Sequence, residues 1–114
     1  MPLYKGTVQK GNGSGRKLGF PTVNIPLDDD TSGIFAALVR FGGEEYFAAV
    51  YADQTRKLLE AHLLQFNDDV YGKEIEIELL KKIRDDKKFT DENDARKAIA
   101  ADVEAVEAYL RTVN

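Results

Sequence analysis

A glycine-rich segment near the start of the chain carries the residues best suited to bind phosphate. Gly11 and Gly15 belong to a set of four glycines between positions 11 and 19, and Arg16 and Lys17 add two positive charges. Because glycine has no Cβ, such a loop can turn with positive φ and let backbone N–H groups converge on an anion. The motifs G-x-x-x-x-G-K-[ST] and G-x-G-x-x-G do not fit, and no helix is predicted to follow. We therefore expect a phosphate loop carried by a β-hairpin. A plain glycine-rich turn with a solvated basic pair is the alternative.

The residues after this loop combine oxygen ligands with an apolar face. Residues 22–25 are predicted to form a strand, in which successive side chains point to opposite faces. Thr22 and Asn24 therefore share one face, and two apolar side chains share the other. Hydroxyl and amide oxygens suit Mg²⁺, which keeps most of its shell for water and nucleotide phosphates. The pair is thus a candidate metal and phosphate site.

Size and composition restrict the class of protein. The chain has 114 residues, of which 43% are hydrophobic, which predicts one domain with one core. The net charge of −4 disfavours a nucleic-acid-binding protein, for which a basic excess is expected. The absence of cysteine excludes disulfides and thiolate chemistry. No apolar run approaches the ~18 residues of a membrane span, and no signal peptide is recognisable, so we expect a cytoplasmic protein without a membrane partner.

Alternating hydrophobicity predicts a mainly β domain. The clearest pattern lies in residues 70–83, where Ile75 and Ile77 alternate with glutamates, which we interpret as the solvent-facing side. Gly42-Gly43 is typical of a hairpin turn. The three aspartates at 28–30 are interpreted as a solvated loop. The predicted strands are residues 3–9, 22–25, 34–41, 44–51, 58–64 and 70–83.

The last quarter of the chain predicts a helix. Thr90 is a suitable N-cap, and acidic residues follow it in the first turn. Apolar residues then recur at intervals of three and four, which is typical of an amphipathic helix that packs on a sheet. Six short strands and one terminal helix together predict a small closed antiparallel barrel with a C-terminal α-helix. The stripe consists of Ala95, Ile99, Val103, Val106 and Leu110.

Residues 15–25, Gly-Arg-Lys-Leu-Gly-Phe-Pro-Thr-Val-Asn-Ile, resemble the signature of the riboflavin kinases, which are also the C-terminal kinase domains of bacterial bifunctional FAD synthetases. The resemblance implies that Gly11, Gly15 and Arg16 help to hold ATP, and that Thr22 and Asn24 bind Mg²⁺ and nucleotide phosphate. It further implies a six-stranded Greek-key barrel with a C-terminal helix, in agreement with the strand pattern.

The resemblance extends over nearly the whole chain and includes Leu-Glu-Ala-His-Leu at 59–63 and Asp-Val-Tyr-Gly-Lys at 69–73. The resemblance implies that Glu60 is the catalytic base. Glu60 lies on a predicted strand that is rich in leucine, where an ionisable side chain is unusual unless it has a function. A structural carboxylate on an edge strand, paired with Arg56 or Lys57, is the alternative. Arg84 and Phe89 are implied to lie on the flavin side of the site.

The chain departs from the family pattern in the loop before Glu60. The family's Asn-Ile-Gly-x-x-Pro-Thr segment is absent, and residues 52–57 form a shorter connection. Gln65 and Phe35 replace the family's usual Asp and Tyr. We therefore expect less protein over the flavin. An adenylyltransferase domain is absent from these residues, so FMN and not FAD is the expected product.

The sequence thus predicts a Mg²⁺-dependent riboflavin kinase that uses ATP and acts as a monomer on small molecules only. One alternative is a binding module of the same fold that holds flavin or nucleotide without turnover. Another is a related small-molecule kinase with a different alcohol acceptor. A nucleic-acid-binding barrel is disfavoured by the net charge.

Overall fold

Six β-strands and one C-terminal helix make up the part of the chain that this computed structural model describes, residues 2–9, 22–64 and 70–113. All the predicted strands are present, with ends that differ by at most four residues. The largest difference lies at the start of the last strand, because Gly72, with φ of 82°, turns the chain there. The elements are β1 (Leu3–Thr7), β2 (Val23–Pro26), β3 (Gly33–Phe41), β4 (Glu44–Asp53), β5 (Leu58–Leu63), β6 (Glu74–Arg84) and α1 (Glu92–Val113).

The strands form one antiparallel sheet in the order β1-β6-β3-β4-β5-β2. The sheet curls until its two outer strands meet, where the Gln9 N–H donates a hydrogen bond of 2.7 Å to the Asn24 carbonyl. Gly6 lets β1 approach β2 closely, since a Cβ at this position would lie 3.1 Å from the Ile25 Cβ. The result is a nearly closed six-stranded antiparallel barrel with one helix, which confirms the mainly β prediction to that extent.

Alternating side chains of the strands fill the inside of the barrel. Ile25, Leu59, Ile75, Ile77 and Leu79 are among the side chains with the least exposure. This burial follows from the period of two in each strand. The glutamates of β6 lie on the polar side, as predicted from the sequence. Two of them pair with cations of neighbouring strands: Glu76 with Lys5 at 3.3 Å and Glu78 with Arg40 at 2.7 Å.

Helix α1 covers part of the outer face of the barrel. Val106 and Leu110 pack against Ala36 of β3, together with half-buried residues of β4 and β6. The second half of the predicted apolar stripe is therefore packed on the sheet, whereas its first half, Ala95, Ile99 and Val103, lines a cavity. The predicted N-cap was wrong by one residue: the Asn93 N–H donates to Asp91 Oδ1 at 2.8 Å, so Asp91 and not Thr90 caps the helix. The described part of the chain contains no helix whose length and apolar character would let it cross a membrane.

Candidate active site

A row of side chains crosses five strands on the outer face of the barrel. Asn24 of β2 is registered with Glu60 of β5, and Glu60 with Tyr51 of β4. The row continues through Ile34 of β3 to Arg84 of β6. Directly opposed residues in an antiparallel pair share one face of the sheet. Residues far apart in sequence are therefore brought together along one line.

A cavity of about 510 Å³ lies between this row and helix α1. Its sheet wall includes Thr22, Tyr51 and Glu60, and its helix wall includes Ile99 and Val103. A pocket of this volume, with an apolar wall and a few polar groups, is typical of a small-molecule site. Residues 86–89, in the connection between β6 and α1, contribute to its rim.

Glu60 is one of three buried carboxylates on the cavity wall, together with Asp53 and Asp102. It is only 7% exposed, and it forms an ion pair with Nη2 of Arg56. Burial raises the pKa of Glu60 above its ordinary value, although the positive charge of Arg56 acts in the opposite direction. The residue thus combines the burial expected of a base with the partner expected of a structural carboxylate. It lies on an interior strand, between β2 and β4.

Asp53, at the end of β4, holds the other side of Arg56. Its Oδ2 accepts a hydrogen bond of 2.7 Å from Arg56 Nε, and its Oδ1 accepts the backbone N–H of Thr55 at 3.0 Å. Burial opposes ionisation of Asp53, but the hydrogen bonds from Arg56 outweigh it, so the pKa of Asp53 lies below its usual range. The result is a carboxylate–guanidinium–carboxylate chain that runs from Asp53 to Glu60.

Thr22 and Asn24 lie together, as the strand pattern predicted. The Thr22 hydroxyl donates to Asn24 Oδ1 at 3.4 Å, and Asn24 is buried. Among the described residues there is no group of three or more His, Cys, Asp or Glu side chains that could hold a metal ion by itself. Two neutral oxygens beside the Glu60 carboxylate fit a hard cation that brings phosphate and water ligands with it.

Arg84 and Phe89 both line the cavity, on the side away from Thr22. Arg84 makes a bidentate pair with Asp102 of α1, with Nε–Oδ1 and Nη2–Oδ2 distances of 2.7 and 2.8 Å. Its guanidinium carbon also lies 5.9 Å from the centre of the Phe89 ring, and Lys87 Nζ lies 5.8 Å from it. Arg84 therefore joins the last strand to the helix as well as forming part of the wall.

The glycine-loop residues differ from His62 and Tyr51 in whether the structure describes them. Gly11, Gly15 and Arg16, the predicted nucleotide-binding residues of the glycine loop, lie outside the described residues. His62, interpreted as a structural histidine, is half-buried and lines the cavity. Tyr51 was not predicted as a site residue, although the period of two in the predicted strand 44–51 puts it on the same face as Phe47.

The Tyr51 hydroxyl donates to Asp86 Oδ2 at 3.0 Å, which ties the connection after β6 to the sheet. Burial raises the pKa of Tyr51, and the neighbouring Asp53 carboxylate adds to the effect. Tyr51 is therefore a neutral hydrogen-bonding group on the cavity wall. Periodicity assigned its face, but the register between β4 and β5 was needed to place it beside Glu60.

The structure is a β-barrel with one helix, and a cavity of small-molecule size, with an apolar wall and a few polar groups, lies between the sheet and the helix. Residues 2–110 match the Flavokinase family, described as riboflavin kinase. The chain belongs to the riboflavin kinase family.

Individual proteins and solved structures are also similar to this chain. A bifunctional riboflavin kinase/FMN adenylyltransferase of Haemophilus influenzae is 36% identical over 117 residues, which cover 94% of this chain and 38% of that protein. A solved riboflavin kinase from Trypanosoma brucei has a TM-score of 0.68 at 26% identity, with 96% of this chain and 79% of that chain covered. A Streptococcus pneumoniae structure that bears the name macrolide-efflux protein has a TM-score of 0.79 at 27% identity, with 92% and 38% covered. The chain thus spans well under half the length of the Haemophilus relative.

Proposed function

We propose that this chain transfers the γ-phosphate of ATP to the 5′-hydroxyl of riboflavin and forms FMN and ADP. Membership of the riboflavin kinase family supports the reaction. The observation that carries the proposal is the buried Glu60 carboxylate on the wall of the cavity, next to Thr22 and registered with Asn24. A base and a pair of oxygen ligands are the groups that this reaction requires at one point.

Glu60 is the proposed general base. A primary alcohol is a poor nucleophile until a base takes its proton in the transition state, and a positioned carboxylate does this. A pKa raised by burial makes Glu60 a better proton acceptor than an exposed glutamate would be. The proton passes from the 5′-hydroxyl to the carboxylate as the oxygen attacks the γ-phosphorus and ADP leaves.

Thr22 and Asn24 are the proposed ligands of Mg²⁺ and of the nucleotide phosphates. The ion, when bound with ATP, neutralises charge on the phosphoryl group that is transferred. Gly11, Gly15 and Arg16 are proposed to hold the nucleotide through backbone N–H groups and one guanidinium. Thr22 and Asn24 are both neutral, so the ion depends on the nucleotide for most of its charged ligands.

The acceptor is proposed to lie at the other end of the cavity. Phe89 offers an aromatic face and Arg84 a planar guanidinium there, and both can stack on a flat heteroaromatic ring. The shorter connection at residues 52–57 is proposed to cover the acceptor less than the longer segment that the family carries.

We also propose how the barrel closes, the oligomeric state of the domain and its partners. The barrel closes fully in the active protein, and the contact between β1 and β2 supports this closure. Its connectivity is that of a Greek key. The domain acts as a monomer. Its partners are the small molecules ATP, ADP, riboflavin and FMN.

The test is direct: purified protein is incubated with riboflavin, ATP and Mg²⁺, and FMN and ADP are measured by chromatography. We expect FMN and ADP in equal amounts, and no FMN when EDTA is present. Quenching of riboflavin fluorescence without FMN would instead indicate a binding module without turnover. ADP formation with another alcohol and none with riboflavin would identify a related kinase.

A further inference from the structure

Arg56 is the residue through which the turn between β4 and β5 contacts Glu60. Its Nη2 pairs with Glu60 Oε2, while its Nε donates to Asp53 Oδ2 at 2.7 Å. The side chain is 32% exposed and lines the same cavity as Thr22 and Glu60. The guanidinium thus lies between two buried carboxylates and borders the space that the substrates are proposed to occupy.

Hydrogen bonds to Asp53 hold both the backbone N–H and the guanidinium of Arg56. The Arg56 N–H donates to Asp53 Oδ1 at 3.3 Å, and the Thr55 N–H donates to the same oxygen at 3.0 Å. One carboxylate therefore holds both the turn and the guanidinium. Charge-assisted hydrogen bonds of this type are strong and directional, so little freedom remains at the end of the arginine that contacts Glu60.

We propose that Arg56 is a positioning residue, which, held by Asp53, orients the Glu60 carboxylate toward the acceptor hydroxyl. This inference rests on the proposed function. It makes the ion pair with Arg56 a part of the catalytic arrangement, where the sequence alone had offered the pair and the base as alternatives. Asp53, which the proposed mechanism does not otherwise use, is the anchor of the arrangement.

The physical reason is the freedom of a glutamate side chain. A base must lie within hydrogen-bond reach of the proton that it takes, and a misplacement of about 1 Å can cost about 10²-fold in rate. A carboxylate has about four acceptor positions. Glu60 can therefore accept from Arg56 through Oε2 and still accept from the substrate.

The test is a double-mutant cycle on turnover. The rate of FMN formation is measured with radiolabelled ATP for the wild type, Arg56→Met, Glu60→Gln and the double variant, together with KM for ATP and the melting temperature. We expect Arg56→Met to lower kcat by about 10²-fold, with KM for ATP changed by less than a few fold. In the Glu60→Gln background the same change should have no further effect on kcat, because both residues act at one step.

Two further variants separate positioning from loss of charge. Arg56→Lys should restore part of the rate, since an ammonium can still pair with Glu60. Lys57→Met is the matched control, because Lys57 lies in the same turn and contacts Gln54 and the Asp29 carbonyl instead. It should leave kcat unchanged. If Arg56→Met is unfolded at the assay temperature, the cycle is read with Arg56→Lys.

Several results would overturn the inference. Equal losses from Arg56→Met in both backgrounds would mean that Arg56 acts independently of Glu60, for example on the phosphate. A rise in KM with unchanged kcat would assign it to nucleotide binding, and a wild-type rate would remove it from the mechanism. A wild-type protein that makes no FMN would overturn the proposed function and this inference together, whereas an additive cycle in an active enzyme would overturn the inference alone.

Discussion

The ion pair between Arg84 and Asp102 joins β6 to α1 across the end of the cavity, and Asp102→Asn is the perturbation that tests its strength. The wild-type carboxylate accepts two hydrogen bonds, at 2.7 and 2.8 Å, from one guanidinium. Asparagine keeps the size and one oxygen but removes the charge. The variant therefore removes one bidentate interaction and leaves Arg84 without its main counter-charge.

The magnitude follows from how far each partner is buried. Removal of one partner from a fully buried pair costs about 3–5 kcal/mol, whereas an exposed pair is worth under about 1 kcal/mol. The Asp102 side chain is 8% exposed, but that of Arg84 is 30% exposed and can recover hydration. We therefore expect a loss of about 2 kcal/mol in the free energy of unfolding, which for a domain of this size lowers the melting temperature by roughly 8 °C.

The assay is thermal and urea unfolding of three variants. Glu104→Gln, which changes an exposed acid on the same helix, is the control and should stay within about 0.5 kcal/mol of the wild type. The double variant Arg84→Met/Asp102→Leu should recover most of the loss, because replacing both partners by apolar groups leaves no unpaired charge. An Asp102→Asn protein that melts with the control, or a double variant less stable than Asp102→Asn, would refute the reasoning.

Five other outcomes are expected. Glu60→Gln should lower turnover by about 10²–10⁴-fold with nucleotide affinity unchanged within a few fold, and a near wild-type rate would end the case for the base. The base must be ionised and burial raises its pKa, so wild-type kcat should fall on acidification at a higher pH than for an exposed carboxylate; a pH–rate profile without that limb would contradict this. Thr22→Ala with Asn24→Ala should abolish the mutual enhancement of Mg²⁺ and ADP binding in calorimetry while the fold is kept. In the wild type, riboflavin should bind more tightly when nucleotide and metal are already bound than when they are absent. Gly6→Val should lower the free energy of unfolding by about 1–3 kcal/mol, since a Cβ there lies 3.1 Å from the Ile25 Cβ; urea unfolding with an unchanged midpoint would refute the close approach.

Local patterns were enough to predict the elements of this fold. A period of two identified the strands, and a period of three to four identified α1, because each element buries one face. The errors lie at element ends, where neighbouring residues compete. Thr90 and Asp91 can both cap a helix, and the sequence does not rank them. β4 continues to Asp53 because residues 52 and 53 pair with β5, and this pairing depends on a distant part of the chain.

Strand geometry alone predicted which site residues lie together only where those residues are close in sequence. Thr22 and Asn24 share a face by strand geometry, and Glu60 was found through its resemblance to a family motif. The positions of Tyr51 and Asp102 depend on the register of β4 and on the docking of α1. The sequence offers the ion pair of Arg56 with Glu60 as an alternative to catalysis, because it does not show that the paired carboxylate is also buried.

The meeting of β1 and β2 has a consequence for how the protein opens. β2 is four residues long, and its outer edge is joined to β1 at the bridge between Gln9 and Asn24. Short, weakly paired strands open at lower free energy than the core in native-state hydrogen exchange. Asn24 has its carbonyl in this bridge and its side chain beside the proposed metal. A ligand that binds the closed form adds its binding free energy to that form. Amide exchange in β2 should therefore slow when nucleotide and Mg²⁺ bind, while exchange in the interior strands β3 and β6 changes much less.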